Sequence, residues 1–311
     1  SSFQSDFLTP IWGPVPRFAS PKAEKSLVAA LVALHLTSFR TPPAILTPSS
    51  QPLSSLRSLN GLSDIGRLRQ RNEDSLALRV DSGVAVIADG MGGHPGGDVA
   101  SSIATAAAAE ILTRAASKNP NSHGFASRMR AVMVEAVVGA HRSIRERSAI
   151  EPHLDGMGTT LTAMIVHPET GTWVIGHVGD SRAYRIHGDT MDQMTRDDTW
   201  IQQQIEQNPD LNPARVRNSP YAHLLTQCLG LENQPSPQIV DGTAESGDRF
   251  LLCSDGLVGM LEDDTVLSIL TEALPHAGTD LDMPIRKLLE AANEAGGRDN
   301  ITAALVQFEN N

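Results

Sequence analysis

Apolar and polar positions along this chain switch repeatedly between two periods. Val84 to Ala88 is an uninterrupted apolar run of strand length, and it ends at Asp89, followed by Gly90, Gly92, Gly93, Gly96 and Gly97. The pattern predicts a buried strand delivering a carboxylate to a tight turn. Beyond the glycines, Asp98 or Ser101 can cap a helix over Gly97 to Ala116, whose alanines permit close packing. A second helix is expected over Phe125 to Glu146, with Met129, Val132, Met133, Ala136 and Val137 recurring at helical spacing and arginines near its end. Further strands are expected at Leu76 to Val80, Leu161 to Val166, Thr172 to His177, Arg182 to Ile186, Arg249 to Cys253 and Ile301 to Phe308, and further helices at Asp263 to Ala273 and Leu281 to Glu294. Strands, then a helix pair, then strands again describe an α+β fold of antiparallel sheets covered by helices.

Two stretches break this rhythm. Residues 1 to 60 are rich in Pro and Ser, with one apolar segment, Ser26 to Phe39, that is too short for a membrane span and is read as a helix or the tail of an upstream domain. Thr41 to Ser58 reads as a linker, which puts the start of the main domain, 61–311, at Gly61. Thr195 to Ser246 is a long polar stretch, of the kind that inside a compact domain is functional or mobile.

Composition narrows the function. The formal net charge is −11, divided into +3 over residues 1 to 60 and −14 over the remainder. An acidic domain without a basic stripe argues against nucleic acid, whose binding rests on phosphate neutralisation. The two cysteines, Cys228 and Cys253, sit in apolar runs and read as buried hydrophobes, so nothing points to an oxidising compartment and a cytoplasmic location is expected.

Asp89 lies where a rigid strand ends among residues too small to block a ligand, a natural place for a hard cation or a phosphate. Acids in similar settings occur in RLRQRNEDS (Arg67 to Ser75), FLLCSDGL (Phe250 to Leu257) and GGRDNIT (Gly296 to Thr302). Taken with GMGTTL (Gly156 to Leu161) and VGDSRAY (Val178 to Tyr184), their order and spacing strongly resemble the metal-dependent Ser/Thr protein phosphatases of type 2C, the PPM family. The DGMGGH form resembles bacterial members. The resemblance runs from Gly61 to about Glu309.

It implies two stacked antiparallel sheets, each covered by a helix pair, with a flap subdomain at about 195–246 beside the active site. It also implies two Mn²⁺ or Mg²⁺ ions. Asp89 would bridge them, with Glu73 and the Gly90 carbonyl completing one site and Asp255 and Asp299 the other. Hard oxygen donors independently favour these ions over Zn²⁺. Asp74 would hold a metal-bound water. Asp180 matches a weaker third metal position, although it could instead cap the turn before Arg182. Arg69 matches the substrate-phosphate arginine, and its guanidinium fork suits phosphate oxygens, as Arg67 and Arg71 at alternate positions also could. Met91 stands where eukaryotic members carry a His that serves as proton donor, and His94, three residues on, matches the bacterial pattern and is read as acting on the helix or the metal waters rather than as the general acid. GMGTTL is read as packing alone, and TRDDT (Thr195 to Thr199) departs from the family's DHS-like triplet at Asp198.

The implied reaction is hydrolysis of phosphoserine and phosphothreonine in proteins by a hydroxide bridging the two cations. The partners would be phosphoproteins made by a Ser/Thr protein kinase. No covalent phosphoenzyme is expected, because neither a CxxxxxR loop nor an aspartyl nucleophile motif is present. The competing readings are an inactive phosphatase-like regulatory or binding module, and a phosphoesterase for small molecules.

Overall fold

The run at 84–89 forms β3 (Val84–Asp89), and its alternate side chains enter two different cores. Val84, Val86 and Ala88 pack with helices, whereas Ala85 and Ile87 pack against strands of a second sheet. A strand buried on both faces has no polar side, which is why its sequence does not alternate. The computed structural model describes residues 54–91, 96–118, 123–208, 219 and 221–310. They fall within one folded unit that runs from Pro52 to Asn311.

One sheet has the order β1 (Ser54–Asp64), β10 (Ile301–Asn310), β9 (Arg249–Cys253), β6 (Arg182–His187) and β7 (Thr190–Gln193). The other has the order β2 (Asp74–Arg79), β3, β4 (Leu161–Val166), β5 (Thr172–Val178) and β8 (Gln238–Thr243), and all neighbours are antiparallel. The core between the sheets contains Trp173, Phe250 and Phe308, whose rings meet in sequence at centroid distances of 5.1 and 5.8 Å.

Helices α1 (Gly97–Lys118) and α2 (Phe125–Ile150) cover the second sheet. Ala100, Ala104 and Ala108 recur every four residues on one face of α1 and are fully buried, so this helix lies close on its neighbours. A Leu at Ala104 would overpack that face and cost about 1–3 kcal/mol. Helices α4 (Asp263–Ala277) and α5 (Asp282–Glu294) cover the first sheet through Val266, Leu270, Ile285 and Leu288. The result is the four-layer α-β-β-α sandwich expected from the sequence. No helix among the described residues is long and apolar enough to cross a membrane.

Three expectations change. β1 begins at Ser54, ahead of the boundary placed at Gly61, and pairs with β10 along its length, so the final residues of the supposed linker belong to the sheet. The polar stretch 195–246 is not all flap, because 238–243 forms β8 at the edge of the second sheet, leaving the short helix α3 (Trp200–Gln207) in the part before it. β2 begins at Asp74 and so includes an acid of the NED stretch. The expected helix at Ser26 to Phe39 lies outside the described residues.

Strand register brings the acids to one end of the sandwich. Asp74 pairs with Asp89 at the limit of β2 and β3. In the other sheet Cys253 pairs with both Ala303 and Arg182, so Asp255, Asp299 and Asp180 all lie just beyond the same end. Asp64 pairs with Ile301, which starts the Arg67–Arg71 loop beside them.

Candidate active site

Asp89 is held from behind by GMGTTL. Its N–H donates to Thr160 Oγ1 at 2.9 Å, and its carbonyl accepts from the Thr160 N–H at 2.9 Å and from Thr159 Oγ1 at 2.8 Å. The motif read as packing alone therefore positions the central carboxylate. Gly90 donates to the Glu73 carbonyl at 3.1 Å, and a Cβ there would run into the carbonyl oxygens of Gly97 and Glu73. Only glycine permits these three segments to meet.

Asp74 clasps the two sheets together. Its Oδ2 accepts from Ser254 Oγ at 2.8 Å and from Thr302 Oγ1 at 2.6 Å, while its Oδ1 is buried without a hydrogen-bond partner among the described residues. Burial pushes its carboxyl up to about 7. Asp255 opens a helical turn after Ser254; its carboxyl is hydrogen-bonded to that of Asp89, and its Oδ1 is likewise buried and unpartnered. Burial, then the charges of Asp74, Asp255 and Asp180, raise Asp89 well above the ordinary carboxylate range. Asp180 is pushed up to about 8 by burial, then by Asp255 and Asp197.

Asp299 faces the other way. Its Oδ2 accepts from Arg69 Nη2 at 2.6 Å, and this bond is the main cause that raises the guanidinium pKa. Glu73 lies in the fields of Arg69, Asp98 and Asp299, with burial the larger influence, and its carboxyl is raised. Asn300, buried, organises the loop: its Oδ1 accepts from the Glu73 N–H at 2.8 Å, and its Nδ2 donates to the carbonyls of Ile65 and Arg71, both at 2.9 Å. Arg67 and Arg71 are exposed and make no such bond to Asp299.

The turn carrying Asp180 is fixed by residues that sequence reasoning passed over. Gly179 has φ +109°, a conformation that side-chain-bearing residues rarely adopt. His177 bridges Thr162 Oγ1 and the Gly179 carbonyl, each at 2.9 Å. Asp198, which departs from the family triplet, accepts from the Gly179 N–H at 3.1 Å and donates its own N–H to the Gly179 carbonyl at 2.6 Å. These roles depend on partners distant in sequence or on an unusual backbone, which no local pattern announces. His94 lies outside the described residues.

Glu73, Asp74, Asp89, Asp180, Asp255 and Asp299 are thus gathered at one end, but among the described residues no three of them close around a single point as metal ligands. Shared hydrogen bonding between Asp89 and Asp255, and the Arg69–Asp299 pair, relieve the crowding of charge instead. The donor set still fits hard divalent cations: it is all oxygen, and two of its carboxylate oxygens are buried with no partner among the described residues.

Comparison with known proteins bears on the family and the fold. Residues 67–291 match the family model described as protein phosphatase 2C. The chain is 33% identical over 244 residues to the serine/threonine protein phosphatase PstP of Mycobacterium tuberculosis, covering 78% of this chain and 43% of that protein. It therefore spans less than half the length of that relative. It is 32% identical over 247 residues to the serine/threonine phosphatase stp of Listeria innocua, covering 78% of this chain and 93% of that protein. Among solved structures, the catalytic domain of PstP in complex with two manganese ions superposes with a TM-score of 0.67 at 32% identity, covering 83% of this chain and all of that one. With the family model matched over most of the sandwich, and with the acids of five separate stretches gathered at one end of it, the chain belongs to the protein phosphatase 2C family.

Proposed function

We propose that this protein hydrolyses phosphoserine and phosphothreonine in other proteins, using divalent cations held at the acid cluster. The observation that carries the proposal is the gathering of acids from both sheets at one end of the sandwich, where Asp74 Oδ1 and Asp255 Oδ1 are buried without a hydrogen-bond partner among the described residues. Glu73, Asp89 and the Gly90 carbonyl would hold one ion. Asp89, Asp255 and Asp299 would hold the other, with Asp180 at a weaker third position. When bound, a pair of Mn²⁺ or Mg²⁺ ions supplies an acidified water and neutralises charge on the transferring phosphoryl group.

The chain's own part is placement. Thr159 and Thr160 fix the backbone of Asp89. Asp74 joins the strand ends of the two sheets, so that ligands from both keep one spacing. Arg69, whose guanidinium Asp299 already orients, can turn its remaining N–H groups to two oxygens of the substrate phosphate. PstP and stp are named as serine/threonine phosphatases, and one PstP structure holds two manganese ions, which supports the same chemistry here.

The test is turnover of a phosphothreonine peptide with Mn²⁺ and with chelator. Turnover should need the metal and vanish in chelator. An equal rate in chelator, or no turnover of any phosphopeptide or aryl phosphate with Mn²⁺, would overturn the proposal.

A further inference from the structure

Beside the acid cluster, a cleft of about 650 Å³ runs between α3 and the segment leading from Asp255 into α4. That volume accommodates a segment of peptide rather than a lone ion. Its walls are of two kinds. Ile201 and Ile205 on α3, with Val258 and Leu261 opposite, supply apolar surface. Asp180, Asp197, Asp255, Glu262, Asp263 and Asp264 supply carboxylates.

The guanidinium in this lining does not offset them, because it is already committed. Arg182 donates from Nε and Nη2 to the two oxygens of Asp197 at 2.9 and 2.7 Å and from Nη1 to Tyr184 Oη at 2.9 Å, and Tyr184 in turn donates to Asp263 at 3.0 Å. Glu262 and Asp264 are exposed and form no ion pair with a described residue. The other basic side chain in the lining is His223, also exposed. Asp180 and Asp255 line the cleft and belong to the acid cluster as well, so the cleft opens where the phosphate is to be taken. The loop around Arg69, by contrast, presents Arg67 and Arg71 to solvent.

We infer that this cleft is a specificity subsite that takes a lysine or arginine side chain of the phosphoprotein close in sequence to the phosphorylated residue. The stem of such a side chain lies along Ile201, Ile205 and Leu261, and its charged head meets Glu262 and Asp264. A segment with acidic residues in the same place is repelled. The inference rests on the phosphatase reading and names the substrate class for that site.

It is tested with the whole chain and Mn²⁺, on phosphothreonine peptides that carry Arg, Ala or Glu at each flanking position in turn. An aryl phosphate, which cannot reach the cleft, reports the chemistry separately. At one or more positions kcat/KM should rank Arg above Ala above Glu, with Arg over Glu by roughly tenfold, a size fitting two partly exposed charge pairs, and the preference should shrink at high salt. In the double variant Glu262→Lys/Asp264→Lys the order should reverse, an outcome that partial misfolding cannot imitate. Equal rates for all peptides, with aryl phosphate still turned over, would overturn the subsite and leave the phosphatase reading intact. No turnover of aryl phosphate or peptide would overturn both.

Discussion

Asn300 shows how much of the site hangs on a residue with no chemistry of its own. Its carboxamide satisfies three backbone groups, from Glu73, Ile65 and Arg71, which would otherwise be left without these partners in a partly buried place. Asn300→Ala should cost about 1–3 kcal/mol, since a buried group left without its partner costs about that much and these partly buried groups are in part rescued by water. Urea unfolding checks this, and a loss below about 1 kcal/mol would show that the loop is held by other contacts. Arg69→Ala should raise KM more than it lowers kcat, because a phosphate contact made in the ground state is uniform binding. Steady-state kinetics on a phosphopeptide decide it, and a fall in kcat at constant KM would place the contact in the transition state alone. Asp89, Asp255 and Asp299 were legible in the sequence because each stands beside glycine or asparagine at the end of an apolar run. Asn300, Thr160 and His177 were not legible as positioning residues. Asn300 bonds to Glu73, Thr160 to Asp89 and His177 to Thr162, and those partnerships exist only once strands have paired.

Among elements, the strands buried on both faces were the readable ones. β3, β4 and β9 are almost wholly apolar, and runs of this length fit strands buried on both faces. The edge strands were missed or cut short for the complementary reason. β7 reads TMDQ and β8 reads QIVDGT, half-exposed and polar enough to pass for loop, while the serines of β1 resemble those of a linker. β1 nevertheless buries Leu59 and packs Leu56 and Leu62 partly against the two cores of its sheet. Deleting residues 1–53 should therefore leave aryl phosphate hydrolysis within about threefold. Deleting 1–60 should remove most of β1 and cost about 3 kcal/mol, counting burial of the two leucines lost, Leu56 and Leu59. If both truncations melt together, β1 is dispensable and the observed pairing with β10 contributes little.

For the molecule as a whole, the acid cluster sits at the junction of two sheets and sets the ions and the fold in one balance. In chelator, Asp74, Asp89 and Asp180 have folded-state pKa values raised by burial, to about 7 for Asp74 and about 8 for Asp180. The folded state then holds more protons than the unfolded chain, whose aspartates titrate at about 3.9. Stability contributed by these groups is thus present at low pH and is lost as pH rises from about 4 to about 8. The urea midpoint in chelator should fall across that window, and saturating Mn²⁺ should offset the fall where the cation binds, because it favours the ionised carboxylates. A midpoint in chelator that rises with pH would contradict the crowding of these acids.

Thermal unfolding of the wild type and of Asp89→Asn, each with Mn²⁺ and with chelator, tests the shared metal site most directly. The ligands come from four distant stretches that the unfolded chain does not gather, so metal at about 100 times its Kd should add about 2.7 kcal/mol to the wild type. For a domain of this size that is a rise of roughly 5–10 °C in Tm, where unfolding is reversible. Asp89→Asn should lose most of the rise and, because a buried Asn needs no proton to stay neutral, melt no lower than the wild type in chelator. A wild type that melts at the same temperature with Mn²⁺ and with chelator would contradict a metal site shared by Glu73, Asp89, Asp255 and Asp299.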